Sequence, residues 1–183
     1  PAAAIPASVT DVGLQAFSRC DHLTAFTVDG ANSAYAHSGS GILTNKAVTT
    51  IIQFPAGLGG SVDLPDTTTT IADFAFHGSG TLNVVNMPNS VTSIGNDAFS
   101  FCPQLGTVNV GSGLISIGNN AFMNCPQLTT FGFPTGPISI GNSAFSGCAA
   151  LIAISLPDSV NSLGTSAFAN CGALQSHSWQ RNP

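Results

Sequence analysis

The chain has 183 residues, of which only 6% are charged; three cations against eight acids leave a net charge of −5. So few Lys and Arg argue against nucleic-acid binding and against attraction to anionic membrane surfaces, both of which need cations to meet phosphate. The chain has no Glu and little Lys or Arg, which removes most strong helix formers, and no run approaches the ~20 apolar residues of a spanning helix.

The opening PAAAIPASV has no charged n-region before an apolar core, so it is not a signal peptide. A partial repeat follows, IPASVTDVGLQAFSRCDHLTAFTV, with a marker at Ala16-Phe17, a cysteine at Cys20 and a strand-like run at Leu23, Phe26 and Val28. The phase then breaks. Asp29 holds a strand-ending position, and the next one, Pro65, comes 36 residues later. That is one 23-residue period plus an insertion of about 13 residues within 30–60. The insertion holds GILTNKAVTTIIQFP, two β-rich runs around Asn45-Lys46, and reads as a β-hairpin projecting from the rest.

From Pro65 onward the register is regular. The marker phenylalanines Phe76, Phe99, Phe122, Phe145 and Phe168 step by 23, as do Cys102, Cys125, Cys148 and Cys171. Ser79 fills the cysteine slot of the Phe76 turn. Prolines at the strand-ending positions Pro65, Pro88, Pro134 and Pro157 suit the end of a strand, since proline cannot donate inside a ladder. A fixed period in the twenties with the pattern L-x-x-[VIF]-x-[VLF] signals a leucine-rich-repeat solenoid. Within each turn, a short parallel β-strand on the concave side points residues such as Leu105, Val108 and Val110 inward. A second apolar pair follows, such as Leu114 and Ile117, and a short helical turn opposite carries Ala-Phe inward. The Gly before that turn (Gly95, Gly118, Gly141, Gly164) permits a sharp bend or positive φ. Phe17, Phe76, Phe99, Phe122, Phe145 and Phe168, with Cys102, Cys125, Cys148 and Cys171, form the expected core. One turn cannot bury its own apolar face, so the turns stack in a right-handed coil. Residues 1–183 read as a single repeat domain, a segment of a longer array.

The motif S-[IL]-G-x-x-A-F-x-x-C-x-x-L-x-x-[IVF]-x-[LVF]-P resembles the BspA-like, or Treponema-type, leucine-rich repeats. The insertion is similar too: its Tyr35, its GILTNK run and its Phe54-Pro55 close match the long repeat that family often carries. The resemblance implies a secreted or surface-attached protein of bacteria or protists, used in adhesion to host proteins or in cell–cell association. This chain departs from the family in its scarcity of charge.

Candidate chemistry is thin. The five cysteines are at least 23 residues apart, so there is no C-x₂-C pair. Stacking brings adjacent ones into disulfide range, but their common inward phase favours a ladder of unpaired, buried thiols. His22, His37, His77 and His177 share no recurring acid or nucleophile, so no catalytic site is indicated. His177 falls in an inward strand phase with Leu174 and Trp179. Asp63, Asp66 and Asp73 cluster near one turn, but no Asp recurs as a calcium solenoid needs. Neither a metal nor a cofactor is expected. Ser93, Ser116, Ser139 and Ser162 form one column and Asn96, Asn119 and Asn142 another. Such columns suit bound water or glycans, but satisfying exposed backbone groups at turns is the stronger reading.

The residues point to a non-enzymatic interaction module, or to copies of the chain stacked into a surface layer or filament. The resemblance further implies an adhesion module, extracellular or at a cell surface, whose partner is a host or neighbouring-cell surface protein. The candidate contact residues are Tyr35, Lys46 and Phe54 on the hairpin and Asn83, Asn86, Thr107, Asn109, Thr130 and Ser155 on the strands. With three cations in the chain, binding would change little between low and moderate salt.

Overall fold

The computed structural model describes residues 1–174, so the expectation for His177 and Trp179 lies outside the described residues. The chain folds into a β-solenoid of about 7 turns with parallel strands. Three sheets build it. β1 (Ala2–Ile5) and β2 (Ala25–Val28) pair in parallel at the N-terminal end. A four-stranded parallel sheet joins β6 (Gly60–Asp63), β8 (Leu82–Asn86), β10 (Thr107–Asn109) and β12 (Thr130–Phe131). An eight-stranded sheet runs through β3 (Tyr35–His37), β4 (Leu43–Asn45), β5 (Thr50–Gln53), β7 (Thr70–Ile71), β9 (Ser93–Ile94), β11 (Ser116–Ile117), β13 (Ile138–Ile140) and β14 (Val160–Leu163). The sequence period is the sheet register. Thr107 pairs with Thr130, and Ser116 with both Ser93 and Ser139. The pair read from sequence only as "second apolar" is thus a second ladder: Ile94, Ile117 and Ile140 point inward from strands of their own.

The core between the sheets holds a continuous file of rings. Phe54, Phe76, Phe99, Phe122, Phe145 and Phe168 stack face to face, with centroids 4.8, 4.5, 5.1, 5.1 and 5.2 Å apart in that order. Phe168 packs against the core while only partly buried. Phe17 is not in the file. It meets Phe26 edge-on at 5.0 Å in a separate N-terminal cluster and is half-buried there.

The Ala-Phe segment is not helical: no α-helix occurs among the described residues. Each marker amide instead donates to the next turn, Phe76 to Ala98, Phe99 to Ala121, Phe122 to Ala144 and Phe145 to Ala167, all at 2.7 Å. The amides two before and two after do the same, as Asp97 to Asn119 and Phe101 to Met123. A helix would consume these groups within its own turn; here they are spent between turns. The geometry that permits it is a pair of left-handed residues flanking each marker phenylalanine. These are Phe74 and Gly78, Asp97 and Phe101, Asn120 and Asn124, Ser143 and Gly147, and Ser166 and Asn170.

The glycine column does a different job from the one expected. Gly95, Gly118, Gly141 and Gly164 are absent from the positive-φ residues. A Cβ on Gly118 would stand 2.6 Å from the carbonyl carbon of Gly95, and one on Gly141 would stand 2.6 Å from that of Gly118. These glycines let successive turns approach backbone to backbone. Gly118→Ala is expected to cost about 1–3 kcal/mol, as forced overpacking does, and a urea midpoint unchanged from the parent would contradict this.

The insertion does not project. Its β3 and β4 pair antiparallel, as do β4 and β5, and β5 then continues in parallel with β7. The hairpin is thereby the first part of the eight-stranded sheet. Ile42 faces the main core and Leu43 the N-terminal cluster. Gly41, at φ +77, lies against β2, where its carbonyl accepts from the Phe26 amide at 2.8 Å. The insertion thus joins the N-terminal turn to the remaining stack.

Candidate interaction surface and the buried thiols

Two of the expected contact residues are core. Tyr35 is 9% exposed, and its hydroxyl accepts from the Val12 amide at 2.8 Å. Phe54 is 1% exposed and begins the ring file. Their aromatic area is buried because the hairpin is stacked into the sheet. Lys46 is exposed at the β4–β5 turn, where its ammonium donates to the Gly30 carbonyl at 3.3 Å.

The strand residues come together as expected from their alternation. Asn86, Thr107, Asn109 and Thr130 share the outer face of the β6–β8–β10–β12 sheet. Asn83 stands exposed near the start of β8, and Ser155 is exposed in the following turn. Asn109 donates its amide to Asn86 at 2.6 Å, and Asn86 donates to Asp63. This side-chain ladder holds the amides in fixed orientations across three strands. On the other sheet the Asn column binds backbone: the side-chain oxygens of Asn96 and Asn119 accept the amides of Asn119 and Asn142, each at 2.8 Å. Asp73 starts that column by accepting from Asn96 at 2.6 Å.

The cysteines form a ladder of a kind the spacing alone did not show. Each buried thiol donates to the carbonyl of the marker phenylalanine one turn back: Cys102 to Phe76, Cys125 to Phe99, Cys148 to Phe122 and Cys171 to Phe145, at 3.0–3.2 Å. Those carbonyls lie outside the strand ladders; the carbonyls of Phe76 and Phe145 also accept the amides of Ser79 and Cys148, and the thiol fills a further acceptor position in the core. Ser79 makes no such bond: its hydroxyl is buried without a partner, and the Phe54 carbonyl accepts from Gln53. Burial first, and then the neighbouring thiols, push Cys125 and Cys148 well up from the ordinary 9.0, and burial raises Cys171 as well. Cys20 departs from the expected ladder and is exposed, because the insertion separates its turn from the next cysteine slot. All five are free. A thiol reagent is therefore expected to label one cysteine per chain in the native state and the other four only after denaturation. Rapid native labelling of two or more would contradict the burial.

His22 and His37 are exposed, and His37 accepts from the Val28 amide at 3.1 Å. His77 bonds Ser100 at 2.7 Å and lies between the edges of Phe74 and Phe101. Burial lowers its pKa; Asp97 opposes that and Arg19 adds to it. No group of three His, Cys, Asp or Glu among the described residues is placed to hold a metal. No helix among them is long and apolar enough to cross a membrane.

The 23-residue register, the stacked Phe column and the thiol ladder recur turn after turn, and the BspA type leucine rich repeat region matches residues 2–58 and 60–180 in six copies. The chain belongs to the BspA-type leucine-rich-repeat family. It is similar to a leucine rich cell surface protein from Faecalibacterium prausnitzii A2-165, with 32% identity and a TM-score of 0.84 over 95% of this chain and 46% of that one. The T. pallidum leucine rich repeat protein TpLRR is 30% identical, with a TM-score of 0.65 over 80% of this chain and 68% of that one. The pneumococcal vaccine antigen PcpA shares the fold, with 21% identity and a TM-score of 0.82 over 95% of this chain and 43% of that one. The chain thus spans less than half the length of two of these similar structures. No curated protein matches it.

Proposed function

We propose that this BspA-type segment is a non-enzymatic protein-binding module of an extracellular or cell-surface protein, acting in adhesion. One observation carries the reading: the outer face of the β6–β8–β10–β12 sheet presents polar side chains already locked by the Asn109–Asn86–Asp63 ladder. A surface ordered before contact loses little side-chain entropy on binding. Solenoids use such extended faces for protein partners, and the similarity to the F. prausnitzii cell surface protein supports the location. The test is biolayer interferometry of the chain against a panel of secreted and surface proteins, repeated with Asn109→Lys and Thr130→Lys. A partner held by the parent and released at least about tenfold faster by both variants fits a contact at this face, since affinity changes at one interface fall mostly on the off-rate. Equal binding by all three chains would remove the face from the proposal.

Self-assembly into a layer or filament is the second reading. Among the described residues β1 and β14 stand at opposite ends of the stack, each with one edge unpaired, and open edges recruit further strands. Sedimentation equilibrium decides it. Mass rising with concentration supports stacking, and the monomer mass throughout contradicts it.

A further inference from the structure

A second surface, away from the sheet face, has the features of a ligand groove. It has a volume of 310 Å³ and is lined by Arg19, Phe101, Pro103, Asn124, Pro126 and Gly147. The left-handed position two residues after each marker phenylalanine is Gly78, Asn124, Gly147 or Asn170 in four turns, residues that tolerate positive φ. In the remaining two it is Arg19 at φ 56 and Phe101 at φ 58. A bulky side chain in that region is an outlier of the kind that clusters at functional sites, although Phe74 and Val48 adopt it away from this groove. Both exceptions line this one groove. Phe101 is 40% exposed, a large aromatic that the core does not take. The stem of Arg19 lies over Gly78, where an added Cβ would stand 2.9 Å from its Cγ, and this carries the guanidinium across from the N-terminal turn. No ion pair to Arg19 occurs among the described residues.

We propose that this groove binds a short acidic–apolar segment of the protein partner, with a carboxylate on Arg19 and an apolar side chain against Phe101 and the two prolines. Charge complementarity selects the ligand. Arg19 is the only charged residue among the described residues that line the groove, and the planar guanidinium matches a carboxylate in two parallel hydrogen bonds. The length follows from the fold. From Phe101 to Gly147 is two turn spacings, about 10 Å, which an extended peptide covers in about three residues. The proposal rests on the protein-binding reading and names one contact within it.

The probes are acetyl-Asp-Leu-Pro-Leu-amide and its Asn counterpart, titrated into the ¹⁵N-labelled chain. The acidic peptide is expected to shift the amide signals of residues 19, 101 and 124 saturably, with a dissociation constant on the order of 1 mM for so small a ligand. The Asn peptide is expected to bind about tenfold more weakly, and Arg19→Gln to abolish the difference between them. Phe101→Asn is expected to lose binding while unfolding at a higher midpoint, because Asn suits the left-handed backbone; the loss is then not one of folding. Equal binding of the two peptides, or shifts centred elsewhere, would overturn the groove. A protein partner captured equally by the parent, Arg19→Gln and Phe101→Asn would also overturn it, yet leave the protein-binding reading standing. If no partner is found but the peptide result holds, the reading fails and the groove remains.

Discussion

Phe122→Ala is expected to lower the free energy of unfolding by about 3–5 kcal/mol, the range of buried Phe-to-Ala changes. Phe122 is fully buried. It stacks on Phe99 and Phe145 at 5.1 Å on both sides and meets Phe131 edge-on at 5.3 Å. Truncation leaves a ring-sized gap inside the file, and the neighbours cannot close it, because the turn spacing is fixed by backbone bonds such as Phe122 to Ala144. In a repeat array stability is close to a sum of turns and nearest-neighbour interfaces. The loss therefore falls on the two interfaces of this turn and separates the stack into halves. Urea unfolding should show a lower midpoint with a broadened or biphasic transition. A loss under about 1 kcal/mol would mean that the column is not core.

Alkaline pH is expected to unfold the protein through its cysteines. Thiols whose folded pKa lies above the ordinary 9.0 bind more protons in the native state than in the unfolded state between those two values. Stability is then fully present below pH 9 and falls as the pH rises above it. Each such thiol contributes about 1.4 kcal/mol per pH unit, so Cys125 and Cys148 together remove about 3 kcal/mol by pH 10. The physical cause is that a thiolate would lose solvation in the core and face the neighbouring thiols and the carbonyl oxygen it bonded as a thiol. Urea unfolding under reducing conditions at pH 8, 9 and 10 measures the slope. Cys148→Ala should flatten it by about 1.4 kcal/mol per unit. A slope equal in parent and variant would contradict the account.

What repeats in the sequence was legible in it. Apolar residues at one phase of a 23-residue period must meet their equivalents in the next turn, which yields the ring file, the cysteine column and the strand register. Alternation along each strand likewise turned Asn86, Thr107, Asn109 and Thr130 outward. What depends on backbone conformation was not. Ala-Phe between small polar residues reads as a helical turn, and only the Asn, Ser, Asp and Gly flanking each marker hinted at left-handed backbone. Gly118 was read for its freedom, whereas its missing Cβ is what the neighbouring turn requires. The insertion failed for another reason. Phe54 lies 22 residues before Phe76, one short of the period, so the file could not be extended to it by counting. Tyr35 and Phe54, being aromatic and out of phase, resembled binding anchors while serving as core. The groove had one sequence signal, Arg19 and Phe101 in a column otherwise of Gly and Asn, and that signal has no meaning until the column's positive φ is known.

Native-state hydrogen exchange at the marker amides tests the central claim, that each turn is bonded to the next through the Ala-Phe segment as well as through the sheets. Slow exchange requires a persistent hydrogen bond in a structure that opens only with the stack. The amides of Phe76, Phe99, Phe122 and Phe145 are expected to be as protected as those of Val85 and Val108 in β8 and β10. Those of Ala98 and Ala121, which head no such bond, should exchange faster. Marker amides exchanging faster than the strand amides by two orders of magnitude or more, on the order of 3 kcal/mol of lost protection, would contradict it.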